Sequence, residues 1–481
     1  MTGPPSPARA LVFGISGATW SVVRPLMRAG KMPNLRRLME NGCSATLHSV
    51  RVQGDKHYRP QVAWATVATG CLPQHHGITA FYHTSDDYRR PCIWDTFQAH
   101  HRSVGLFYWP ITWPPGRANG FIVPCYHARD DSTWPPELAS LTWLDRARHE
   151  AQSQRDGPSR RQVIGSIELA WSMLRNGLRA ASLPYLGATA CELWRTKDRE
   201  RRALLSRHAK AEIHADLFLR LYGRYRPHLA TFHTFLVDYV SHRYWRYRDP
   251  EAFGEPRSAR QERLGSAVDE SYQRTDKVLG RILERTSPDT VIAVLSEHGM
   301  SPEPVSSELG PWQYVIDGRS VAALAGLSKL VTSCPIARWV AFRPLPDRPM
   351  PKDATRRLRA ITVVETGLPL FSVYENGERE VVVKLSIHRS VPRYASGDLD
   401  TLNVECEGRN VSLCTLVTRG ARQRSAMHDA HGMLILCGPG IRSGVTLPDA
   451  SITAFAPTLL RCVGLPREDG MDGAELDVLQ S

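Results

Sequence analysis

Aspartate at 238 followed by histidine at 242 has the most direct chemical meaning in this 481-residue chain. Four apart on a helical turn, a carboxylate and an imidazole project to the same side. One imidazole from elsewhere would complete a three-ligand, zinc-type site with a position left for water or substrate. His428, just ahead of a late apolar run, is the candidate third ligand. Glu297 and His298 follow another apolar run and pair a carboxylate with an imidazole, a combination suited to proton transfer or ligation. Ser16 follows the first apolar run and offers a hydroxyl. Asp-x-x-x-His alone is a weak signal. Its weight comes from position, because ligands in open α/β sheets bind beyond the carboxyl ends of the strands.

Positioning these groups requires a sheet. Ala10 to Ile15 reads as the first strand. Met32 to Met39 reads as a helix with Pro33 in its first turn and Gly42 closing it. Leu229 to Val237 reads as a strand running into Asp238, followed by a helical turn that carries His242. Thr290 to Leu295 is a strand ending at Glu297 and His298, Gly432 to Gly438 another, and Ala456 to Leu460 lie in a final helix. Strands alternating with helices predict an α/β fold whose mostly parallel central sheet is flanked by helices. Residues 140–228, with helical spacing at 167–174, read as a helical cap or outer layer. Residues 301–420 are punctuated by Pro335, Pro344, Pro346, Pro349 and Pro351 and contain strand-like 380–385, so they read as an inserted subdomain. The core is then 1–300 with 421–481.

Composition sets the bounds. Hydrophobic residues at 42% and charged residues at 23% describe a folded globular chain. The balance of 61 basic against 48 acidic residues gives +13, but the excess is diffuse. The basic runs at 155–161 and 197–202 are interrupted by acids and carry no interleaved aromatics, so no nucleic-acid partner is expected. No apolar stretch reaches the roughly 18 to 20 residues that span a bilayer, and the first apolar run is too short for a signal segment. Ten cysteines without a CxxC pair fit a reducing cytoplasm.

The ordered pieces resemble the alkaline-phosphatase superfamily, specifically its type I phosphodiesterase/nucleotide pyrophosphatase branch. The resemblance runs nearly end to end, through Phe13 to Trp20, Met32 to Leu35, Ala63 to Gly70, Pro73 to Ile78, Ile93 to Asp95, Trp109 to Pro115, Asp238 to Trp245, Ser296 to Met300, Met427 to Asp429 and Ala456 to Leu460. It implies two metal ions, usually zinc, beside a threonine or serine nucleophile. One ion would be held by Asp238, His242 and His428. The other would fall to Ser16, Pro60, Glu297 and His298, where the family pattern has Asp, the nucleophile, Asp and His. Three of these four depart from the pattern. Ser16 lacks a charge, Pro60 has neither hydroxyl nor N–H, and Glu297 is one methylene longer than Asp. One divalent ion is therefore expected, with Glu297 and His298 freed for catalytic or positioning work and a small anionic ester as partner.

Asp55, His57, Tyr58 and Thr66, the last at an expected helix start, are nearby groups that could replace the missing oxygen. Trp64, Trp109 and Trp113 could line a substrate pocket, and His76 is expected to stabilise a turn. Three readings stay open: a divergent metal-dependent enzyme hydrolysing or transferring a phosphate, phosphodiester, sulfate or related group without a covalent intermediate; an ordinary two-metal phosphodiesterase; and a non-catalytic protein that uses the old cleft for binding.

Overall fold

The computed structural model describes residues 9–55, 57–142, 182–254, 256, 258–303, 312–336, 339–345, 348–376, 379–386, 401–421 and 424–480. They fall in two compact units, one drawn from residues 1–143, 163–304 and 424–481, the other from 144–162 and 305–423. The breaks near 304 and 423 lie a few residues beyond the expected 300 and 420. Residues 143–181, which include the expected helix at 167–174 and the basic run at 155–161, lie outside the described residues.

The larger unit runs β1 (Arg9–Ile15), α1 (Trp20–Arg28), α2 (Pro33–Glu40), β2 (Gly42–His48), α3 (Pro60–Thr69), α4 (Ile93–Ala99), β3 (Val104–Phe107), β4 (Gly120–Val123), α5 (Leu183–Arg195), α6 (Arg199–Tyr225), β5 (Leu229–Thr234), α7 (Leu236–Arg248), α8 (Ala267–Leu283), β6 (Thr290–Ser296), β7 (Gly299–Pro302), β8 (Ala426–Asp429), β9 (His431–Cys437), β10 (Val445–Thr446), β11 (Ala450–Ser451) and α9 (Phe455–Cys462). Its sheet has the order β10-β2-β9-β6-β1-β5-β3-β4, with β11 also on β2. The pairs from β6 through β4 are parallel, while β9 runs antiparallel to both β6 and β2. Such a sheet must be covered on both faces. Val12 packs in one core with Trp64, Val67, Phe97, Phe455 and Leu459. On the opposite side Phe13 and Phe107 stack on Phe232, and Phe218 of α6 meets Phe232 edge-on.

The charged run at 197–202 begins α6. Asp198 caps it, accepting from the amides of Glu200 and Arg201 at 2.9 and 3.3 Å, which satisfies donors that a helix start leaves open. Farther along, Glu212 binds Arg274 of α8 at 2.7 Å and Arg281 at 2.6 Å, and Arg281 also pairs with the fully buried Asp216. These residues are helical, as expected for the 182–228 part of the outer layer.

Two sequence expectations are corrected. The helix from Pro33 ends at Glu40 with Asn41 as its cap, and Gly42 opens β2 instead of closing the helix. A Cβ at Gly42 would lie 2.1 Å from the Leu436 carbonyl oxygen, so close strand approach explains that glycine. The strand before Asp238 stops at Thr234, and Asp238 already belongs to α7.

The smaller unit has an antiparallel sheet of Phe371–Asn376, Glu380–Leu385, Trp339–Pro344 and Val331–Ile336 in that order, with its own core around Phe342, Leu358, Val383 and Val404. The expected strand at 380–385 is its second member. None of the ten cysteines is in a disulfide.

Two outcomes follow. At Gly432 a Cβ would meet the Ser296 carbonyl oxygen at 2.1 Å and the Glu297–His298 peptide at 3.1 Å. Gly432→Ala should therefore cost about 1 to 3 kcal/mol in denaturant unfolding, and an unchanged midpoint would refute the close packing of β9 on β6. Burial, above all, holds His76 and His208 down at about 3. The unfolded chain, titrating near 6.5, binds more protons between these values. Stability should be full above about pH 6.5 and fall toward pH 3 by about 1 kcal/mol per unit per histidine. Urea titrations across that range measure the slope.

Candidate active site

The turn from β5 into α7 sets the first two groups. Thr234 Oγ1 accepts from the Leu236 amide at 3.2 Å, starting a helix that carries Asp238 in its first turn and His242 one turn later. The third group arrives by strand pairing. β8 lies antiparallel to β7 with His428 opposite Met300, which brings it over the turn that follows β6. The preceding loop passes close by. Gly17 sits at φ 74°, and a Cβ there would lie 3.1 Å from the Asp238 Cα, so only glycine suits both backbone and space.

The result is convergence. His242 Nε2 and His428 Nε2 are 2.9 Å apart, and Asp238 Oδ1 lies 3.1 Å from the latter and 3.4 Å from the former. Each ring's other nitrogen is committed. His242 Nδ1 donates to the Ala426 carbonyl at 2.6 Å and His428 Nδ1 to the Tyr58 carbonyl at 2.9 Å. With protons held on both Nδ1 atoms, a neutral imidazole presents its Nε2 lone pair. Two lone pairs and a carboxylate oxygen then face one another, an arrangement that a cation or a shared proton must neutralise. Burial alone would raise the Asp238 carboxyl, but the His242 and His428 imidazoles override it and hold it well below the usual range. Burial, aided by His298, pushes His428 down to about 3. Asp238 and His428 thus stand deprotonated at neutral pH, as metal binding requires. The donor set fits one divalent ion of zinc type.

The second cluster is buried more deeply. Ser16, Glu297 and His298 have no exposed surface. Ser16 Oγ donates to Glu297 Oε1 at 2.5 Å, and His298 Nε2 lies 3.0 Å from the same oxygen. His298 Nδ1 donates to the Gly299 carbonyl at 3.0 Å, and its ring stacks on His428 with centroids 4.0 Å apart. Burial pulls the His298 imidazole down, yet the Glu297 carboxylate raises it above its ordinary value. A hydroxyl proton thus occupies the carboxylate oxygen that a second ion would need, an imidazole stands 3.0 Å from the same oxygen, and Ser16 adds no charge. These residues do not fit a second ion. Asp238, His298 and His428 do offer one donor atom each within 4.8 Å of one another, so His298 is also within reach of the first site.

A family model for type I phosphodiesterase/nucleotide pyrophosphatase matches residues 10–360. The chain belongs to this family. Among solved structures, murine ectonucleotide pyrophosphatase/phosphodiesterase 5 is similar at 14% identity with a TM-score of 0.40, covering 97% of each chain. An inactive variant of that murine protein in complex with AMP is similar at 13% identity with a TM-score of 0.39, again over 97% of each chain. No curated relative matches the sequence. Pro60, which the sequence resemblance sets at the nucleophile position, is the buried first residue of α3, where a missing N–H costs nothing.

The groups considered as substitutes lie elsewhere. Thr66 is in the interior of α3, not at its start, and shares a 3.0 Å hydrogen bond with His76 Nε2, while His76 Nδ1 accepts from the Ile78 amide. The histidine thereby holds its turn, and Thr66 is occupied. Asp55 binds Arg59 at 2.5 Å and accepts from the His57 amide, which staples its own loop. Tyr58 contributes its carbonyl to His428, and its ring lies under Arg51. Trp64 and Trp109 are fully buried and pack edge to face at 4.9 Å, a core position instead of a substrate wall. Trp113 donates to Asp130 at 2.7 Å.

Sequence reasoning missed the two carbonyls and Arg424. The Arg424 guanidinium lies 3.1 Å from His242 Nδ1 and donates to the Ala426 carbonyl at 3.1 Å. No motif marks backbone oxygens, and a lone arginine in a basic chain carries no signal.

Metal analysis separates the two ligand sets. Zinc-treated protein should retain one equivalent, and Asp238→Asn or His428→Ala should lose it. His298→Ala should keep the ion with affinity reduced about 10- to 100-fold, as for a residue supporting a ligand. A loss as complete as in His428→Ala would make His298 a direct ligand.

Proposed function

We propose that the protein is a single-ion enzyme that hydrolyses or transfers a phosphate, phosphodiester, sulfate or related anionic ester group by direct attack, without a covalent enzyme intermediate. The observation that carries this reading is the convergence of Asp238 Oδ1, His242 Nε2 and His428 Nε2 within 2.9 to 3.4 Å. A divalent ion held by these residues, zinc by their chemistry, would supply Lewis-acid chemistry at the ester. The chain does the rest. Tyr58 and Ala426 keep the imidazole protons on Nδ1, so both Nε2 atoms stay available. Arg424 beside His242 adds positive charge that favours an anionic ester. Side chains of Asp238, His242 and His428 keep 15%, 21% and 12% exposure, leaving an approach for substrate. Glu297 and His298 have none, and act as positioning residues behind His428 in place of the substrate-touching role expected from sequence. Water or an acceptor hydroxyl is the nucleophile, because Pro60 offers no oxygen. Ten cysteines without a disulfide support a reducing, cytoplasmic setting.

A panel of aryl phosphate and sulfate mono- and diesters, run on zinc-loaded protein, tests this reading. At least one ester should turn over, His428→Ala should abolish the activity, and intact-protein mass should show no adduct. Turnover that survives His428→Ala, or silence across the panel, would overturn it. Pro60→Thr alone should add no covalent chemistry, since an unactivated hydroxyl is a poor nucleophile. The triple variant Ser16→Asp, Pro60→Thr, Glu297→Asp should bind a second equivalent of metal. A trapped adduct in the single variant would show that the lost nucleophile alone accounts for the altered mode.

A further inference from the structure

We propose that the cavity between the end of β5 and α6 is a subsite for a small oxyanion group, a carboxylate, carried by the substrate away from its reacting ester. This rests on the reading of the Asp238 site as an anionic-ester centre, and names a feature of the substrate.

The cavity measures about 40 Å³ and is walled by Tyr108, Tyr126, Arg207, Lys210, His214 and His233, with the turn Thr234 to Leu236 at its base. At about 10 to 15 Å³ of such volume per water it holds roughly three waters, enough for a carboxylate and too little for a nucleobase. Arg207, Lys210 and His214 recur at three- and four-residue spacing on α6, which puts them on one face. Among the described residues, no acidic side chain lines the cavity.

Two observations point to a ligand. His233 is fully buried and neither of its ring nitrogens has a hydrogen-bond partner; His214 is 7% exposed, and its Nε2 has none either. A buried polar group left unpaired is costly, so two such imidazoles in one wall are best explained by a group that enters and bonds to them. Burial holds both far below the ordinary imidazole value, with Lys210 and Arg207 pressing His214 further down. Neutral imidazoles each have an N–H to donate. The cations are held in place by aromatic faces: Arg207 lies 3.7 Å from the Tyr239 ring centre, Lys210 5.8 Å from that of Tyr108, and Tyr108 packs on His214 at 4.0 Å. Tyr239 follows Asp238 and Leu236 precedes it by two residues, so the turn that forms the cavity floor also carries the candidate metal ligand.

Calorimetry on full-length, zinc-loaded protein tests the subsite with 3-phosphonopropionate, 4-phosphonobutanoate and 5-phosphonopentanoate, each against the alkylphosphonate of equal chain length. At least one acid should bind ten-fold or more tighter than its partner. That ratio should collapse toward one in Lys210→Met and in Arg207→Met, and Lys210→Arg, which keeps the charge, should restore most of it. Ratios near one throughout the wild-type series, a ratio that survives the double methionine variant, or no binding by any member would each overturn the subsite. Ester turnover with ratios near one removes the subsite and leaves the proposed function. A ten-fold ratio in a protein that turns over no ester does the reverse.

Discussion

Two imidazole nitrogens and a carboxylate oxygen, brought to within about 3.4 Å of one another with their Nδ1 protons directed elsewhere, are the arrangement on which the proposed chemistry depends. Left alone, Asp238, His242 and His428 would repel or take up protons. The fold imposes the arrangement all the same, because the Tyr58 and Ala426 carbonyls hold the Nδ1 protons, which turns both Nε2 atoms toward the carboxylate, and burial keeps His428 neutral. Three separate parts of the chain must meet for this: the helix after β5, the β8 strand, and the loop before α3. The tight Gly17 turn against Asp238 ties the end of β1 to the same point.

The Ser16, Glu297 and His298 cluster occupies the neighbouring space differently from the family pattern to which the chain belongs. A hydroxyl hydrogen-bonds the carboxylate, and an imidazole stands 3.0 Å from the same oxygen. Buried charge without partners is costly, and the Ser16 hydrogen bond and the His298 ring answer that cost with groups of the chain itself. With Pro60 starting α3, no side-chain oxygen stands at the nucleophile position. On the assignment that the family resemblance implies, a serine for the first-strand carboxylate, a longer second carboxylate and a proline for the hydroxyl would all act on one ion site, apart from Asp238, His242 and His428.

The parallel strands, the helix opening at Pro33, the outer helical layer and the separate unit after about residue 300 were legible in the chain's own pattern, because apolar runs of strand length and proline punctuation report local preferences directly. That Asp238 and His242 share one helix face was legible too, through their four-residue spacing. Other assignments depended on contacts between distant segments. Gly42 reads as a helix stop until the neighbouring strand's Leu436 carbonyl shows why no side chain fits there. Thr66 reads as a free hydroxyl near a helix start until His76 takes it. Trp64 and Trp109 look like pocket walls until they close on each other in the core. The tautomers of His242 and His428, the burial of Glu297 and His298, and the two unpartnered histidines beside α6 came only with tertiary structure. Residue types and spacing determined which chemistry was available, whereas burial and backbone carbonyls, set by packing across hundreds of residues, decided which atoms are free to perform it.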